Sequence, residues 1–387
     1  MTPAARAAAA IGILDAIRAG QPAEAALIGW ARASRFAGSG DRAAVRDLVF
    51  ETLRRMRTRA ALGGGEDGRA LILGGVRETG ADAEAIFTGQ GHAPPPLTDA
   101  ERMAGRAPTE AEAHDLPDWL TEPLSADLGL DFPAIAAALR DRAPVWLRVN
   151  LARGDVAGAQ ASLATEGIET EADPRCPTAL RVTAGERRVQ ASRAYQDGLV
   201  ELQDLSPQMA CAELAVSPGE TALDYCAGGG GKALALAAAG ARVTAWDAAP
   251  QRLRDLPARA ARAGARIAVA PRTGPQWRFD LVVADVPCSG SGTWRRTPDA
   301  KWRLTPQALA ALHDVQAQIL TDAAAHVLPG GRLAYMTCSL LRSENQAQIV
   351  AFLAANPGFQ QVSARSLTPL DASDGFFVAV LQSLTPA

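Results

Sequence analysis

The spacing of apolar residues divides the chain into regions of different character. Over residues 3–62, apolar side chains recur three and four positions apart, as at Ile11, Leu14 and Ile17. This spacing places them on one face of a helix and predicts a helical domain over residues 1–62. Residues 63–115 show little periodicity and contain GGG at 63–65 and PPP at 94–96. They are predicted to form an irregular linker with one helix near residues 69–77.

Short apolar runs suited to strands begin after residue 116. Within residues 116–215, strands are predicted over 145–149, 179–182 and 199–203, and a helix over 157–166. Alternating apolar and polar positions in the first of these strands indicate a sheet with one buried face. The pattern therefore predicts a small α/β module.

The last region, residues 216–387, repeats a strand followed by a helix. Strands are predicted over residues 221–225, 242–246, 266–270, 279–284, 332–336 and 376–381, and helices over 232–239, 250–263, 306–327 and 343–355. Such alternation is typical of a parallel sheet covered by helices on both faces. The predicted fold class is α/β, a Rossmann-like doubly wound sheet preceded by the small module and an all-α domain.

Composition and charge exclude several classes of protein. No apolar run reaches the length of a membrane span, and the alanine-rich start has neither a basic segment nor a cleavage site. We therefore expect a cytoplasmic protein whose five cysteines are reduced thiols. The four histidines share no ligand-like spacing with the cysteines, so no metal is expected. The net charge of −3 leaves any contact with nucleic acid to a local basic patch.

One such patch is present late in the chain. It consists of Arg295, Arg296, Lys301 and Arg303, interleaved with Trp294 and Trp302. A patch of this kind can bind RNA, and a solvated arginine-rich loop is the alternative.

Lysine occurs only at Lys232 and Lys301, while arginine supplies the positive charge elsewhere. Because a compact ammonium suits sites that a planar guanidinium does not, both lysines are candidate functional residues, and chance is the alternative.

A glycine-rich turn is predicted between the first strand and the first helix of the last region. Residues 226–232 form it and have the sequence CAGGGGK, and Asp247 ends the next strand. Glycines let the backbone approach a ligand closely, and an acid after the second strand can hold ribose hydroxyls. A nucleotide-like cofactor is therefore favoured over a simple tight turn, although the loop is neither a P-loop nor Gly-x-Gly-x-x-Gly.

Two cysteines follow predicted strands. Residues 285–292 have the sequence DVPCSGSG, and residues 335–339 have the sequence YMTCS. The carboxyl ends of parallel strands are the usual location for chemistry, so Cys288 and Cys338 are expected to line one cleft. A redox pair stays open, although there is no Cys-x-x-Cys. Cys176, Cys211 and Cys226 are interpreted as small buried apolar residues.

These motifs resemble the RNA 5-methylcytosine methyltransferase family of the Sun/Fmu type. The resemblance rests on DVPCSGSG, on RRTP at 295–298 and KW at 301–302, and on TCS at 337–339 with EN at 344–345. It covers residues from about 143 to the end of the sequence. Residues 1–62 more distantly resemble the NusB-like RNA-binding domain found in ribosomal small-subunit RNA methyltransferases.

The resemblance implies a cofactor, a substrate and a set of residues. The cofactor is S-adenosyl-L-methionine and the substrate is RNA, here expected to be ribosomal. Cys338 would be the nucleophile that adds to carbon 6 of the target cytosine, Cys288 would assist release, and Asp285 and Lys232 would contact the base. The implied cofactor-binding residues are Cys226, Ala227, Gly228, Gly229, Gly230, Gly231, Lys232, Asp247, Arg252 and Asp285. The basic patch would bind RNA, and a monomer that binds no membrane is expected.

The chain departs from the family pattern near the cofactor. Gly228 and Gly229 replace the usual Ala-Pro, and residues 268–273 lack the acid expected near the adenine. Three alternatives stay open. The first is a DNA cytosine methyltransferase, in which Cys288 would be the nucleophile. The second is an enzyme acting on another RNA such as tRNA, and the third is a non-catalytic RNA-binding paralogue.

Overall fold

The computed structural model describes residues 1–274 and 276–384, which form two compact units. One unit contains Met1–Arg142 and Thr293–Pro306, and the other contains Ala143–Gly292 and Gln307–Ala387. The first is helical. The second holds both β-sheets and all of the cysteines.

The helical unit begins with ten helices, the first six of which pack around one apolar core. They are α1 (Pro3–Arg18), α2 (Ala23–Ala33), α3 (Ser39–Arg54), α4 (Met56–Gly63), α5 (Gly68–Glu78), α6 (Ala83–Ile86), α7 (Asp99–Met103), α8 (Glu110–Ala113), α9 (Asp118–Leu128) and α10 (Phe132–Leu139). Leu14 of α1, Val49 of α3 and Leu71 of α5 are all completely buried in this core. The predicted helical character of residues 1–62 is confirmed.

The linker predicted over residues 63–115 is wrong for its first part, although the helix predicted near 69–77 is present as α5. Leu71, Ile72 and Leu73 lie in the core of the helical unit. Gly64 and Gly65 do form a turn after α4, but Gly74, inside α5, serves helix packing. A Cβ atom at Gly74 would come within 1.9 Å of the Arg59 carbonyl oxygen, so only glycine lets α5 pack this closely against α4.

The second unit starts with a four-stranded antiparallel sheet. Its strands are β1 (Val145–Val149), β2 (Glu169–Ala172), β3 (Ala179–Ala184) and β4 (Val200–Leu202), in the spatial order β2-β3-β1-β4. The helices α11 (Val156–Thr165), α12 (Arg193–Gln196) and α13 (Leu205–Glu213) accompany it. The predicted α/β module is confirmed. The edge strand β2 was not predicted because its residues are polar and largely exposed.

A seven-stranded sheet follows. Its strands are β5 (Thr221–Asp224), β6 (Arg242–Ala245), β7 (Ile267–Val269), β8 (Phe279–Asp285), β9 (Val327–Thr337), β10 (Phe359–Leu367) and β11 (Phe376–Ser383). The order is β10-β11-β9-β8-β5-β6-β7, and all neighbours are parallel except those of β11. Helices α14 (Gly231–Ala238) and α15 (Leu256–Ala263) connect the first parallel strands. The predicted Rossmann-like fold is confirmed.

Residues 293–306 leave this sheet and pack with the helical unit. Their helix is α16 (Asp299–Arg303), after which α17 (Pro306–Ala324) and α18 (Gln346–Ala355) return to the sheet. The helix predicted to reach residue 327 ends at Ala324, and Pro329, Gly330 and Gly331 lie inside β9. The edge strand β10 was not predicted, because most of its side chains are exposed and show no apolar face.

Two kinds of feature are not found among residues 1–274 and 276–384. None of their helices is long and apolar enough to cross a bilayer. None of their histidine, cysteine, aspartate and glutamate side chains form a group that could hold a metal ion.

Candidate active site

The two thiols predicted to share a cleft lie side by side. The adjacent parallel strands β8 and β9 pair Asp285 with Met336, and each cysteine follows within a few residues. The Sγ atoms of Cys288 and Cys338 are 3.5 Å apart, and both side chains are half-buried. A disulfide would require about 2.05 Å, so the sulfurs are in contact without being bonded.

Hydrogen bonds between the two loops hold the thiols together. The Gly292 amide donates to the Cys338 carbonyl oxygen at 3.0 Å, and the Leu340 amide donates to Ser291 Oγ at 2.8 Å. Ser289 and Ser339, which follow the two cysteines, are both buried. The loops therefore behave as one hydrogen-bonded body beneath the sulfurs.

The environment of Cys288 disfavours its thiolate. The neighbouring Cys338 thiol, burial and the nearby Glu344 carboxylate together raise the pKa of Cys288 well above its usual value. Cys288 is therefore protonated at neutral pH in this arrangement, and it can act as a proton carrier more readily than as a nucleophile.

Lys232 and Asp285 form an ion pair in the same cleft, between the start of α14 and the end of β8. Burial opposes the charge of the Lys232 ammonium, but Asp285 and further groups nearby outweigh it and raise the pKa of this lysine. Its Nζ atom also lies 5.2 Å from the centre of the Phe376 ring. The lysine is thus a fixed positive charge held against a carboxylate that is partly open to solvent.

The glycine-rich loop of residues 226–232 has the conformation that its sequence requires. Gly228 and Gly230 have φ angles of +50° and +81°, which favour glycine. Asp247 is buried and accepts from the Gly228 amide at 2.9 Å, and Arg252 pairs with it at 3.3 Å. The acid at the end of β6 therefore shapes the loop directly.

A carboxylate that sequence reasoning missed lies beneath the loop. Asp224 ends β5 and is 1% exposed; the Ala233 amide of α14 faces it and favours its charge, but neither carboxylate oxygen has a partner of full hydrogen-bond geometry among the described residues. Burial raises the pKa of Asp224 to about 7, and the nearby Lys232 opposes this shift. A buried carboxylate without a partner is costly, and a cationic group bound in the loop would satisfy it.

The basic patch lies in the helical unit and is only partly available to a ligand. Arg303 is exposed and Arg296 is half-buried. Arg295 and Lys301 are buried, so their placement as RNA contacts is corrected. Lys301 donates from Nζ to the Arg54 carbonyl oxygen at 3.0 Å, which makes it part of the packing of that unit.

A larger groove of about 900 Å³ lies elsewhere on the seven-stranded sheet. Thr221, Arg242, Ile267 and Phe279, which begin their strands, contribute to its lining. The thiols follow the opposite ends of the strands, so this groove is separate from the candidate active site.

Comparison with protein families identifies two regions of the chain. Residues 211–382 match the sequence model described as 16S rRNA methyltransferase RsmB/F, and residues 116–190 match its RsmF/B-like ferredoxin-like domain. The chain is 36% identical over 299 residues to ribosomal RNA small subunit methyltransferase B of Xanthomonas campestris, covering 71% of this chain and 68% of that protein.

This chain belongs to the RsmB/F methyltransferase family. The Sodalis glossinidius relative with the same name is 35% identical over 310 residues, covering 75% of this chain and 69% of that relative. The Xylella fastidiosa relative is 38% identical over 258 residues, which is 64% of this chain but only 60% of the relative.

Solved structures share the fold of this RsmB/F family member. The crystal structure of PH0851 matches with a TM-score of 0.77 and 21% identity over 99% of both chains. A methyltransferase homolog from Pyrococcus horikoshii matches with a TM-score of 0.63 and 22% identity over 71% of this chain and 98% of that one. At these identities the likeness shows the fold alone.

Proposed function

We propose that this chain methylates carbon 5 of a cytosine in RNA, with S-adenosyl-L-methionine as the methyl donor and small-subunit ribosomal RNA as the substrate. The names of the curated relatives support the class of RNA. The observation that carries the cytosine-5 chemistry is the contact between Cys288 and Cys338 in a cleft that also holds the Lys232–Asp285 pair.

The paired thiols fit a reaction that needs a nucleophile and a proton acceptor. Carbon 5 of cytosine is a poor nucleophile until a thiolate adds at carbon 6 and makes it electron-rich. The Cys338 Sγ–C6 bond forms first. After methyl transfer the carbon 5 proton leaves, the electron pair restores the ring double bond and the Sγ–C6 bond breaks. Cys288, once its own proton has passed to solvent, can accept the carbon 5 proton.

The ion pair gives the base its orientation. Asp285 is 30% exposed and can accept a hydrogen bond from the exocyclic amine of cytosine, while its ion pair with Lys232 fixes the direction of the carboxylate. The target base must leave any helical stack to reach this depth. Uracil presents a carbonyl oxygen in place of the amine, so an acceptor at this point favours cytosine.

The loop and its acids fit the proposed cofactor. When bound, S-adenosyl-L-methionine supplies a methyl group on a cationic sulfonium, and its ammonium is a second cation. The orphaned carboxylate of Asp224 suits such a cationic ligand. The positive φ angles of Gly228 and Gly230 shape the loop backbone, and Asp247 with Arg252 borders it.

The helical unit is proposed to contribute RNA binding. Arg296 and Arg303 are the members of the basic patch that are not buried. Phosphate contacts from such residues position RNA without reading its sequence. The distant likeness of residues 1–62 to NusB-like domains supports the same role.

Trapping on RNA that carries 5-fluorocytosine tests the proposal, because fluorine at carbon 5 blocks release of the covalent adduct. The wild-type protein with S-adenosyl-L-methionine should form a stable RNA–protein adduct with small-subunit ribosomal RNA. Cys338→Ala should abolish the adduct, and on unmodified cytosine Cys288→Ala should accumulate one. If Cys288→Ala loses the adduct on 5-fluorocytosine RNA and Cys338→Ala keeps it, the roles of the two cysteines are the reverse of those proposed.

The substrate is tested in parallel reactions with a tRNA transcript and with duplex DNA carrying the same modified base. Adduct formation on ribosomal RNA alone supports the proposal. Preferential trapping on DNA through Cys288 would indicate a DNA cytosine enzyme. The absence of adduct and of methyl transfer on every substrate, in a folded protein that binds RNA, would indicate a non-catalytic paralogue.

A further inference from the structure

A completely buried carboxylate lies behind the two thiols. Glu344, in the turn between β9 and α18, is 0% exposed. Its Oε1 atom accepts from the Ser289 amide at 2.8 Å and from Gln316 Nε2 at 3.0 Å. Its Oε2 atom accepts from Ser289 Oγ and from Ser339 Oγ, both at 2.5 Å. Four donors therefore converge on one carboxylate.

These four donors come from both thiol loops and from the helix beside them. Ser289 follows Cys288 and Ser339 follows Cys338, so the carboxylate ties together the residues adjacent to the two sulfurs. Gln316 of α17 also donates to the Pro287 carbonyl oxygen at 3.0 Å, which fixes the residue before Cys288. A neutral or shorter side chain at position 344 would leave several of these buried donors poorly satisfied.

We propose that Glu344 is a positioning residue that sets the spacing of Cys288 and Cys338 through the two serines and acts on Cys288 through its charge. The inference rests on the proposed function for its catalytic meaning. Because Glu344 is 0% exposed, it acts on the sulfurs through the two serines and through its charge. Among the described residues, the titratable groups that act on Cys288 are Cys338 just after β9, Tyr335 within that strand and Glu344 in the turn that follows.

The charge of Glu344 acts in the required direction. Cys338 and burial are the larger causes that raise the pKa of Cys288, and Glu344 adds to them as a like charge would. Two adjacent thiols must divide their roles, because one must be an anion before attack and the other must be able to exchange a proton. A negative charge behind the Cys288 loop makes the Cys288 thiolate, once formed, a stronger base, which suits a group that accepts the carbon 5 proton.

Alkylation of Cys288 by iodoacetamide, followed peptide by peptide with mass spectrometry across a pH series, tests the proposal without RNA or cofactor. The Glu344 variants and their parent are compared in a Cys338→Ser background, which removes the partner thiol and leaves that of Cys288. Adding Glu344→Gln keeps the size of the side chain and removes its charge. We expect the pH midpoint of Cys288 alkylation to fall by about one pH unit.

Two further variants make each outcome decisive. Glu344→Asp keeps the charge but withdraws it by one methylene group, so the midpoint of Cys288 alkylation should fall by less than with Glu344→Gln. In protein that retains Cys338, Glu344→Asp should also decrease adduct formation on 5-fluorocytosine RNA. Glu201→Gln is the matched control, because Glu201 is also buried in this unit but pairs with Arg259 and Arg262. It should leave the midpoint unchanged.

An unchanged midpoint in folded Glu344→Gln protein, or an equal shift in Glu201→Gln, would overturn the proposal. Failure of both Glu344 variants to fold, measured by circular dichroism, would overturn it too by assigning the residue to folding alone. If the midpoint shifts as expected while wild-type protein traps no RNA, the positioning role stands and the proposed function fails.

Discussion

Cys288 Sγ and Cys338 Sγ lie 3.5 Å apart although fifty residues separate them in the sequence. The contact follows from the parallel pairing of β8 and β9, which brings the residues after Asp285 beside those after Met336. The loops are then joined by hydrogen bonds to buried serines. One substrate atom can therefore meet both thiols with little movement of the backbone.

This contact predicts a reversible loss of activity on oxidation. Hydrogen peroxide should convert the two thiols to a disulfide, with the two hydrogens and two electrons passing to peroxide to give two molecules of water. Methyl transfer should fall at least tenfold, because the nucleophile is then bonded, and dithiothreitol should restore it. Mass spectrometry should find a peptide pair linking Cys288 and Cys338 and a mass lower by about two hydrogens.

Cys211 provides an internal comparison for the oxidation experiment. Oxidation of the pair starts at Cys338, the proposed nucleophile, and Cys288 then displaces the oxidised sulfur's oxygen as water. Burial raises the pKa of Cys211 to about 11, so its thiolate is scarce and it should resist the same dose of peroxide. Activity that is lost without the Cys288–Cys338 link, or with equal modification of Cys211, would contradict the prediction.

Asp224→Asn should stabilise the protein while weakening its cofactor site. The pKa of Asp224 is raised to about 7 in the folded state, above its ordinary value of 3.8. The folded state thus binds more protons than the unfolded state between these values, and wild-type stability falls as the pH rises through that window. At pH 7.5 the variant should unfold with a free energy higher by up to about 4 kcal/mol, measured by urea denaturation.

Asp280→Asn is the control of opposite sign. Hydrogen bonds from the Thr221 side chain and backbone lower the pKa of Asp280, so its contribution to stability is present at neutral pH and is lost as the pH falls below about 4. This variant should be less stable than wild type at pH 7.5. Calorimetry should show weaker binding of S-adenosyl-L-methionine to Asp224→Asn only. Equal affinity in both variants would remove Asp224 from the cofactor site.

The sequence predicted the parts of the site that depend on strand ends. Cys288, Cys338 and Asp285 follow apolar runs that form central parallel strands, and strands buried on both faces are the easiest to identify. The positions of the thiols relative to each other then required only that β8 and β9 be neighbours. Glycines in a turn before a helix were equally informative about the loop at residues 226–232.

Residues that act through long-range hydrogen bonds were not predictable in the same way. Gln316 lies on α17 among apolar residues, and its polar character on a buried face was the available signal. Glu344 was noted only as part of a motif. Lys301 was assigned to a surface because charged residues are rarely buried, yet here the carbonyl of Arg54 and the nearby Asp115 partly compensate its burial.

Arg303→Ala should weaken RNA binding in a salt-dependent way. Arg303 is 49% exposed and pairs at 3.2 Å with the buried Asp299, which also accepts from the Ala23 amide and so keeps a partner when the arginine is removed. We expect affinity for a small-subunit ribosomal RNA fragment to fall several-fold at 0.1 M salt, and the slope of log affinity against log salt to decrease by about 0.7. Fluorescence anisotropy across a salt series measures both.

Arg254→Ala is the matched control for this measurement. Arg254 is 83% exposed, lies in the other unit and also pairs with a neighbouring aspartate, Asp255. Its removal changes the net charge by the same amount. Equal effects of the two substitutions would show that general charge, and not the position of Arg303, accounts for binding.

Lys301 should make stability rise with pH just above neutrality. Burial lowers the pKa of Lys301 to about 7 from an ordinary 10.5, and the nearby Asp115 opposes the shift. The folded state therefore holds fewer protons than the unfolded state above pH 7, so Lys301 makes the free energy of unfolding increase with pH. The measurement is made between pH 7 and about 8, below the range in which the thiols titrate. Lys301→Met should flatten that rise in urea denaturation. The pKa of Lys232 is raised instead, so in an Asp224→Asn background, which removes the carboxyl group whose pKa Lys232 lowers, Lys232→Met should leave the slope intact. Loss of the slope in both lysine variants would contradict the assignment.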